Sequence, residues 1–314
     1  MTTTQKNLLS MADLTAEEIA LLLDRARALK ANRRFSRELK GKTLGMIFQK
    51  PSTRTSVSFS VAMYELGGVA LTLNAQDLQV RRGESFADTA RTLSRYLSAI
   101  VIRANRHDDV EELARYATVP VISGLTDKEH PCQVLADLQT LMEVFKARKV
   151  SDLKALRVVY VGDGNNMAHS WMLAAGLLGF QLVVSSPGGY EPEKGCMQKA
   201  KILAAKSGGR ITVERDPKIA VVGASVLYTD VWASMGQEEE SFRRRRVFKP
   251  YQVNDALLKR ARKDAVVMHC LPAHRGEEIT ASVMDGPQSV VFDQAENRLH
   301  AQKAILLHCL GILK

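Results

Sequence analysis

The stretch TLGMIFQKPSTRTSVSFSVAMYELGGVALTL, residues 43–73, decides the fold class. It opens with the apolar run 43–48, continues with helical spacing after Ser52, and ends with a second apolar run at 68–73. A strand, a helix and a strand in this order form a βαβ unit, whose strands run parallel. The sequence therefore predicts an α/β fold built on a parallel sheet.

The same alternation continues along the chain and restarts once. The first half adds strands at 98–102 and 119–123, and helices that begin near Thr15, Ser85, Asp108 and His130. After a polar stretch near 148–156, further strands are predicted at 156–162, 181–186, 211–214, 225–230, 265–270 and 289–294. We therefore predict two doubly wound parallel-sheet domains, 1–148 and 149–294, with a C-terminal helix at about 295–314 that packs back on the first domain.

Length and composition agree with a globular protein of two domains. The chain has 314 residues, of which 46% are hydrophobic and 25% charged, and a single core rarely exceeds about 150 to 200 residues. It has no apolar run of bilayer length, and its N-terminus lacks the apolar core of a signal peptide. Its four cysteines form no CxxC pair, so we expect a cytoplasmic protein without disulfides.

The net charge of +10 comes mainly from one segment. Residues 241–263 hold nine basic residues and one acidic residue, directly after Glu238, Glu239 and Glu240. Alternating charge blocks predict a solvated loop, and we expect neither nucleic-acid nor membrane binding. The alternative, a nucleic-acid-binding surface at 243–263, would show binding that falls steeply with salt.

Polar residues follow several predicted strands of the first half. Ser52, Thr53, Arg54 and Thr55 start a helix after strand 43–48, where hydroxyls, backbone N–H groups and a guanidinium would form an anion cradle. Arg103 follows strand 98–102 at the same edge of the sheet. His130 and Gln133 start another helix and present hydrogen-bonding groups suited to a carbamoyl group. Ordinary helix caps and a surface arginine are the alternative interpretation.

The second half carries a separate set of motifs. Gly162-Asp163-Gly164-Asn165-Asn166 is a poor dinucleotide fingerprint because Met167 replaces the third glycine, and its amides suit a small polar ligand better. Asp230 ends a strand, where a carboxylate can bind an ammonium group. His269 and Cys270 end another strand, but neighbouring strand residues point to opposite faces, which disfavours both a thiol nucleophile activated by His269 and a zinc site with His274.

Taken together, these motifs closely resemble those of the ornithine carbamoyltransferases. The resemblance rests on Ser52-Thr53-Arg54-Thr55, His130-Pro131-Cys132-Gln133, Asp230 with Ser234-Met235-Gly236, His269-Cys270-Leu271-Pro272 and Ala295-Glu296-Asn297-Arg298, in consistent order from about residue 8 to 312. It implies carbamoyl transfer from carbamoyl phosphate to the δ-amine of L-ornithine in arginine metabolism, with no metal or organic cofactor. It also implies a homotrimer, or a multiple of trimers, with shared active sites.

The resemblance also implies roles for individual residues. The carbamoyl phosphate site would comprise Ser52, Thr53, Arg54, Thr55, Gln79, Arg103, His130, Gln133, Cys270, Leu271 and Arg298. The ornithine site would comprise Asn166, Asp230, Ser234 and Met235. Arg54, Arg103, His130 and Cys270 would act in catalysis, Cys270 by orienting ornithine and not as a covalent nucleophile. Gln79 would reach the site of a neighbouring subunit.

Three related activities remain as alternatives. Aspartate carbamoyltransferases share the first-half motif, but aspartate is a dicarboxylate that would require cations where this sequence has Asp230. Transferases for putrescine or acetylornithine are closer, and the Ser-Met-Gly sequence at 234–236 disfavours both. We therefore expect ornithine to be the second substrate.

Overall fold

The chain forms two compact units, each with its own parallel sheet. The structure, a computed structural model, describes residues 6–74, 76, 78–233 and 240–313. Unit 1 comprises Met1–Gln139 and Glu296–Lys314, and unit 2 comprises Thr140–Ala295. Two α/β domains with parallel sheets confirm the predicted fold class. Within the described ranges, no helix combines the length and apolar character needed to cross a membrane.

Unit 1 is built on a four-stranded sheet of order β2-β1-β3-β4, in which every neighbouring pair is parallel. Its strands are β1 (Thr43–Phe48), β2 (Val69–Asn74), β3 (Ala99–Arg103) and β4 (Val121–Leu125). The helices that begin in this unit are α1 (Ala16–Ala31), α2 (Thr53–Glu65), α3 (Phe86–Leu93), α4 (His107–Tyr116) and α5 (Pro131–Val144). A short 3-10 helix, Gln79–Arg82, follows β2.

Local signals explain where the helices of unit 1 begin. Thr15 and Glu18 form the predicted capping box at the start of α1, and Ser52 and Ser85 cap α2 and α3. Inner strands of the sheet are covered on both faces, so β3 is apolar almost throughout. Its side chains pack with β1 and α4 in one core cluster.

Unit 2 has a five-stranded parallel sheet of order β7-β6-β5-β8-β9. Its strands are β5 (Arg157–Val161), β6 (Gln181–Ser185), β7 (Arg210–Val213), β8 (Val226–Thr229) and β9 (Val266–His269). Its helices are α6 (Asn166–Leu178), α7 (Lys194–Ser207), α8 (Pro217–Ala220), α9 (Ser241–Phe248), α10 (Asp255–Leu258) and α11 (Ala281–Met284). The last helix, α12 (Val291–Cys309), begins in this unit, and its residues from Glu296 belong to unit 1.

The predicted strand at 289–294 is wrong. Only Ser289 forms a bridge, with Val267, and α12 begins at Val291. The run SVVFDQ has the residue types of a strand, but its buried positions, Val291 and Gln294, recur at helical spacing while Phe292 is exposed. The helix therefore starts four residues before the predicted Ala295.

The basic segment also differs from the predicted solvated loop. Residues 241–248 form α9, and Arg244 is buried, with only 7% of its surface exposed. One turn later Phe248 is fully buried on the same face. Arg244 thus lies in a packed interior, whereas the other described charged side chains of residues 241–263 are exposed.

Gly164 is required by close packing of the chain. A Cβ atom at this position would lie 2.2 Å from the backbone nitrogen of Pro192 and 2.4 Å from the carbonyl carbon of Glu191. The Gly164 N–H also donates a hydrogen bond to the carbonyl oxygen of Tyr190. The glycine of the GDGNN motif therefore allows contact with residues 190–192, a structural reason for its presence that involves no pyrophosphate.

We expect Gly164→Ala to destabilise the protein by about 3 kcal/mol, because two backbone segments must move apart. Gly195→Ala in α7 is a matched control, since the nearest atom to its Cβ would be a side-chain oxygen at 3.8 Å. Alanine also favours the helix there. Urea unfolding of both variants measures the difference. Equal stability of the two would contradict the close contact at Gly164.

Candidate active site

In unit 1, polar residues meet at the switch point of the sheet, where the chain order changes direction between β1 and β3. Ser52 follows β1 and caps α2, with its Oγ accepting a hydrogen bond from the Thr55 N–H at 3.4 Å. Arg103, at the end of β3, donates from Nη1 to the same Oγ at 3.2 Å. A helix N-terminus, a hydroxyl and a guanidinium therefore lie together, a combination that attracts anions.

Arg298 of α12 adds a second, buried guanidinium to this site. Its Nη2 donates to Thr55 Oγ1 at 3.0 Å, and its Nη1 donates to Gln133 Oε1 at 2.7 Å. The Gln133 amide in turn donates to Asp137 Oδ1 at 2.8 Å. Gln133 thus engages both ends of its amide within the protein and orients the arginine.

The charges of three guanidinium groups act on the buried imidazole of His130. Burial lowers its pKa well below the usual 6.5, and the charges of Arg298, Arg103 and Arg54 lower it further. His130 is therefore neutral at physiological pH, with one ring nitrogen able to donate and the other able to accept a hydrogen bond.

Two other predicted residues of this half lie at the surface. Thr53 is exposed in the first turn of α2. Gln79 is exposed at the start of the 3-10 helix after β2, and among the described residues no hydrogen bond joins it to the arginine cluster. Their roles in carbamoyl phosphate binding stay predictions.

In unit 2, the corresponding switch point lies between β5 and β8. Asp230 follows β8 and is buried, with 7% of its surface exposed. Its Oδ2 accepts a hydrogen bond from the Asn165 amide at 2.8 Å, and its Oδ1 accepts bonds from the Val231 N–H at 2.8 Å and the Cys270 thiol at 3.0 Å. A fixed carboxylate is the central feature of this polar cluster.

The loop after β9 is held by the ring of His269. The Leu271 N–H donates to Nδ1 at 2.8 Å, which leaves the proton on Nε2 to face Glu278 Oε1 at 3.1 Å. Both ring nitrogens are thus engaged away from Cys270, which agrees with the prediction that His269 does not activate this thiol. Ligand atoms of Asp230, His269 and Cys270 do lie within 4.8 Å of one another, but these hydrogen bonds already occupy them.

Of the other three predicted ornithine ligands, the structure describes only Asn166. Asn166 is the first residue of α6, beside the N-cap residue Asn165, and is half-buried. Ser234 and Met235 lie outside the described residues. Their part in ornithine binding stays a prediction.

One buried ion pair was not predicted from the sequence. Arg244 Nη1 donates to Asp163 Oδ2 at 2.7 Å and to the carbonyl oxygen of Trp232 at 2.9 Å. Burial raises the pKa of Asp163, and the charge of Arg244 opposes this shift. Arg244, in α9, thus joins the loop after β5 to the loop after β8, which also carries Asp230. The spacing of Arg244 and Phe248 places both on one helical face, but it does not indicate Asp163 as the partner of Arg244.

Comparisons with known proteins match both halves of the chain. The carbamoyl-P binding domain of the aspartate/ornithine carbamoyltransferases matches residues 6–143, and their Asp/Orn binding domain matches residues 154–309. The chain belongs to the aspartate/ornithine carbamoyltransferase family. The anabolic ornithine carbamoyltransferase of Pyrococcus furiosus is 57% identical over 312 residues, which are 98% of each chain.

Other members of the carbamoyltransferase family agree in sequence and structure. An ornithine carbamoyltransferase of Syntrophus aciditrophicus is 56% identical over 96% of this chain and 98% of its own length. The solved structure of the ornithine carbamoyltransferase from Pyrococcus furiosus superposes with a TM-score of 0.94, 56% identity and full coverage of both chains. That from Thermus thermophilus has a TM-score of 0.87 at 44% identity, covering 98% of this chain and 99% of its own.

We expect His130 to make the folded protein less stable as the pH falls. Its native pKa lies well below the ordinary 6.5, so below that pH the unfolded chain binds a proton that the folded protein does not. The stabilising contribution of the neutral ring, complete above pH 6.5, is therefore lost by about 1.4 kcal/mol per pH unit. Urea unfolding of the wild type and of His130→Gln across this range isolates the effect. Parallel stability curves for the two proteins would contradict it.

Proposed function

We propose that the protein transfers the carbamoyl group of carbamoyl phosphate to the δ-amine of L-ornithine, giving L-citrulline and phosphate. The observation that carries the proposal is the division of charge between its two half-sites. Unit 1 gathers guanidinium groups around a helix N-terminus and a neutral imidazole, which suits phosphate and carbonyl oxygens. Unit 2 presents a buried carboxylate, which suits an ammonium group.

The residues of unit 1 would divide the work of binding carbamoyl phosphate. The start of α2, with Ser52, Thr53 and Thr55, would hold the phosphate through hydroxyl and backbone donors, and Arg54, Arg103 and Arg298 would supply charge. The neutral ring of His130 would donate to the carbonyl oxygen of the carbamoyl group. Gln133 would act chiefly by fixing the guanidinium of Arg298, since both ends of its amide are already bonded.

The residues of unit 2 would bind ornithine through its charged groups. Asp230 would accept an ammonium group of the substrate, with Asn166, Ser234 and Met235 completing the site. Cys270 donates its thiol proton to Asp230, so it would orient this carboxylate and the substrate bound to it. Aspartate fits this half-site poorly, because its second carboxylate would face the negative charge of Asp230.

The chemistry follows from these charges. Attack requires a neutral δ-amine, whereas a free alkyl ammonium has a pKa of about 10.4, so the positive charges that bind carbamoyl phosphate would favour its deprotonation. The amine nitrogen then bonds to the carbonyl carbon, and His130 and the guanidinium groups stabilise the oxyanion that forms. Collapse of this intermediate breaks the bond from carbon to the phosphate oxygen. Phosphate leaves and takes up the amine proton.

We also propose a cytoplasmic homotrimer whose subunits share active sites through Gln79. Large apolar side chains are exposed on unit 1, where a partner subunit would cover them. They are Phe35, Val57, Tyr64, Val69 and Leu71. Val69 and Leu71 belong to the edge strand β2, directly before the segment that carries Gln79.

The four cysteines are free thiols, as expected in a reducing compartment.

The first test is citrulline formation from carbamoyl phosphate with ornithine, putrescine, acetylornithine or aspartate as acceptor. We expect ornithine to be the preferred acceptor. Arg54→Ala should lower kcat/KM by a factor equivalent to about 3 kcal/mol or more, because water does not replace a guanidinium at a transferring phosphate. Arg91→Ala, an exposed arginine paired with Asp88, is the matched control and should stay near wild type. A preference for another amine, or full activity of Arg54→Ala, would refute the proposal.

The shared site is tested by mixing two impaired variants. If Arg54 of one subunit and Gln79 of the next serve one site, Arg54→Ala and Gln79→Ala chains should complement each other when they are unfolded together and reassembled. Random mixing places both chains in about three quarters of cyclic trimers, each with one intact site in three, so activity should approach about one quarter of wild type. If hybrid trimers are no more active than the mean of the two parent proteins, Gln79 does not serve the active site of the neighbouring subunit.

A further inference from the structure

The side chain of Asn165 has a fixed orientation. It lies between β5 and α6 and caps that helix, and its Oδ1 accepts hydrogen bonds from the backbone N–H groups of Met167 at 3.0 Å and Ala168 at 3.3 Å. The buried hydroxyl of Tyr160 contacts the same oxygen at 2.9 Å. Because backbone N–H groups can only donate, the atom that faces them must be the amide oxygen.

The fixed oxygen determines where the amide nitrogen of Asn165 points. Nδ2 faces Asp230 Oδ2 at 2.8 Å, and since an amide NH2 group can only donate, this carboxylate oxygen must accept. The helix cap of α6 therefore determines the side from which the Asn165 amide donates a hydrogen bond to Asp230.

The charge of Asp230 is not neutralised by a cation of the described chain. Its donors there are the Asn165 amide, the Val231 N–H and the Cys270 thiol, all neutral. The buried guanidinium of Arg244 is bonded instead to Asp163 at 2.7 Å. Neutral donors orient the carboxylate and leave its negative charge available to a cationic ligand.

We propose that Asn165 is a positioning residue that sets the selectivity of the second-substrate site for an ammonium group, by holding Asp230 with a neutral donor. This inference rests on the proposed carbamoyl transfer to ornithine. Asn165 does not touch the substrate; it acts through Asp230. The Asn165 amide thus has two functions. Its oxygen caps α6, and its nitrogen orients Asp230.

Two substitutions separate these functions. Asn165→Ser keeps a good N-cap hydroxyl but loses the NH2 group that reaches Asp230. Asn165→Asp keeps the cap oxygen and shape but places a carboxylate oxygen against Asp230, where the two groups would repel or share a proton. Asn254→Ser is the matched control, because Asn254 caps α10 in the same way through the Leu257 N–H and contacts no proposed site residue through that bond.

We expect Asn165→Ser to raise the KM for ornithine about tenfold or more, and Asn165→Asp to raise it further, since the lost bond is to a charged group. The KM for carbamoyl phosphate should stay within about twofold in both variants, and Asn254→Ser should match wild type for both substrates. For Asn165→Asp, kcat/KM for ornithine relative to wild type should increase from about pH 8 to about pH 6, as the paired carboxylates take up a proton.

The inference is overturned if both Asn165 variants keep the wild-type KM for ornithine, or if both substrates are affected equally. A double-mutant cycle supplies a second test: in an Asp230→Asn background, Asn165→Ser should change the KM for ornithine by less than about twofold, and an undiminished effect there would refute action through Asp230. Wild-type protein that forms no citrulline would overturn the proposed function and this inference with it. An active wild type with insensitive Asn165 variants would overturn the inference alone.

Discussion

The polar cluster of unit 1 depends on the buried guanidinium of Arg298. It comes from α12, close to the end of the chain, and bonds to Thr55 in the first turn of α2 and to Gln133 in the first turn of α5. Three segments distant in sequence are thereby fixed around one positive charge. Burying a guanidinium is costly unless it is hydrogen-bonded, so the bonds to Gln133 and Thr55 stabilise the charge that the proposed anion site uses.

The two units place opposite charges at equivalent points of similar sheets. In each, loops after neighbouring strands meet where the strand order reverses, and the residues there are polar while the strands beneath are apolar. Unit 1 uses arginines, and burial together with their positive charge lowers the pKa of His130 and keeps it neutral. Unit 2 uses a carboxylate held by neutral donors. The two polar clusters therefore differ in charge, although similar parallel sheets present them.

Local patterns predicted much of this structure, and tertiary contacts decided the rest. Each of the nine strands in the described residues lies within two residues of a predicted one, because parallel strands are apolar runs with clear ends. The run 289–294 was misread because its strand-like residues pack at helical spacing. The burial of Arg244 depends on Asp163, 81 positions away, and the link from Asn165 to Asp230 spans 65 positions. No local pattern reveals such pairs.

Titration calorimetry with inorganic phosphate, the reaction product, on the wild type and on Arg298→Lys tests directly whether the orientation of Arg298 builds the anion site. Lysine keeps the charge but cannot bond to Thr55 and Gln133 in the geometry of a planar guanidinium. We predict a dissociation constant at least about tenfold higher for Arg298→Lys, in protein shown to be folded. An unchanged affinity would show that the orientation of Arg298 does not build the anion site.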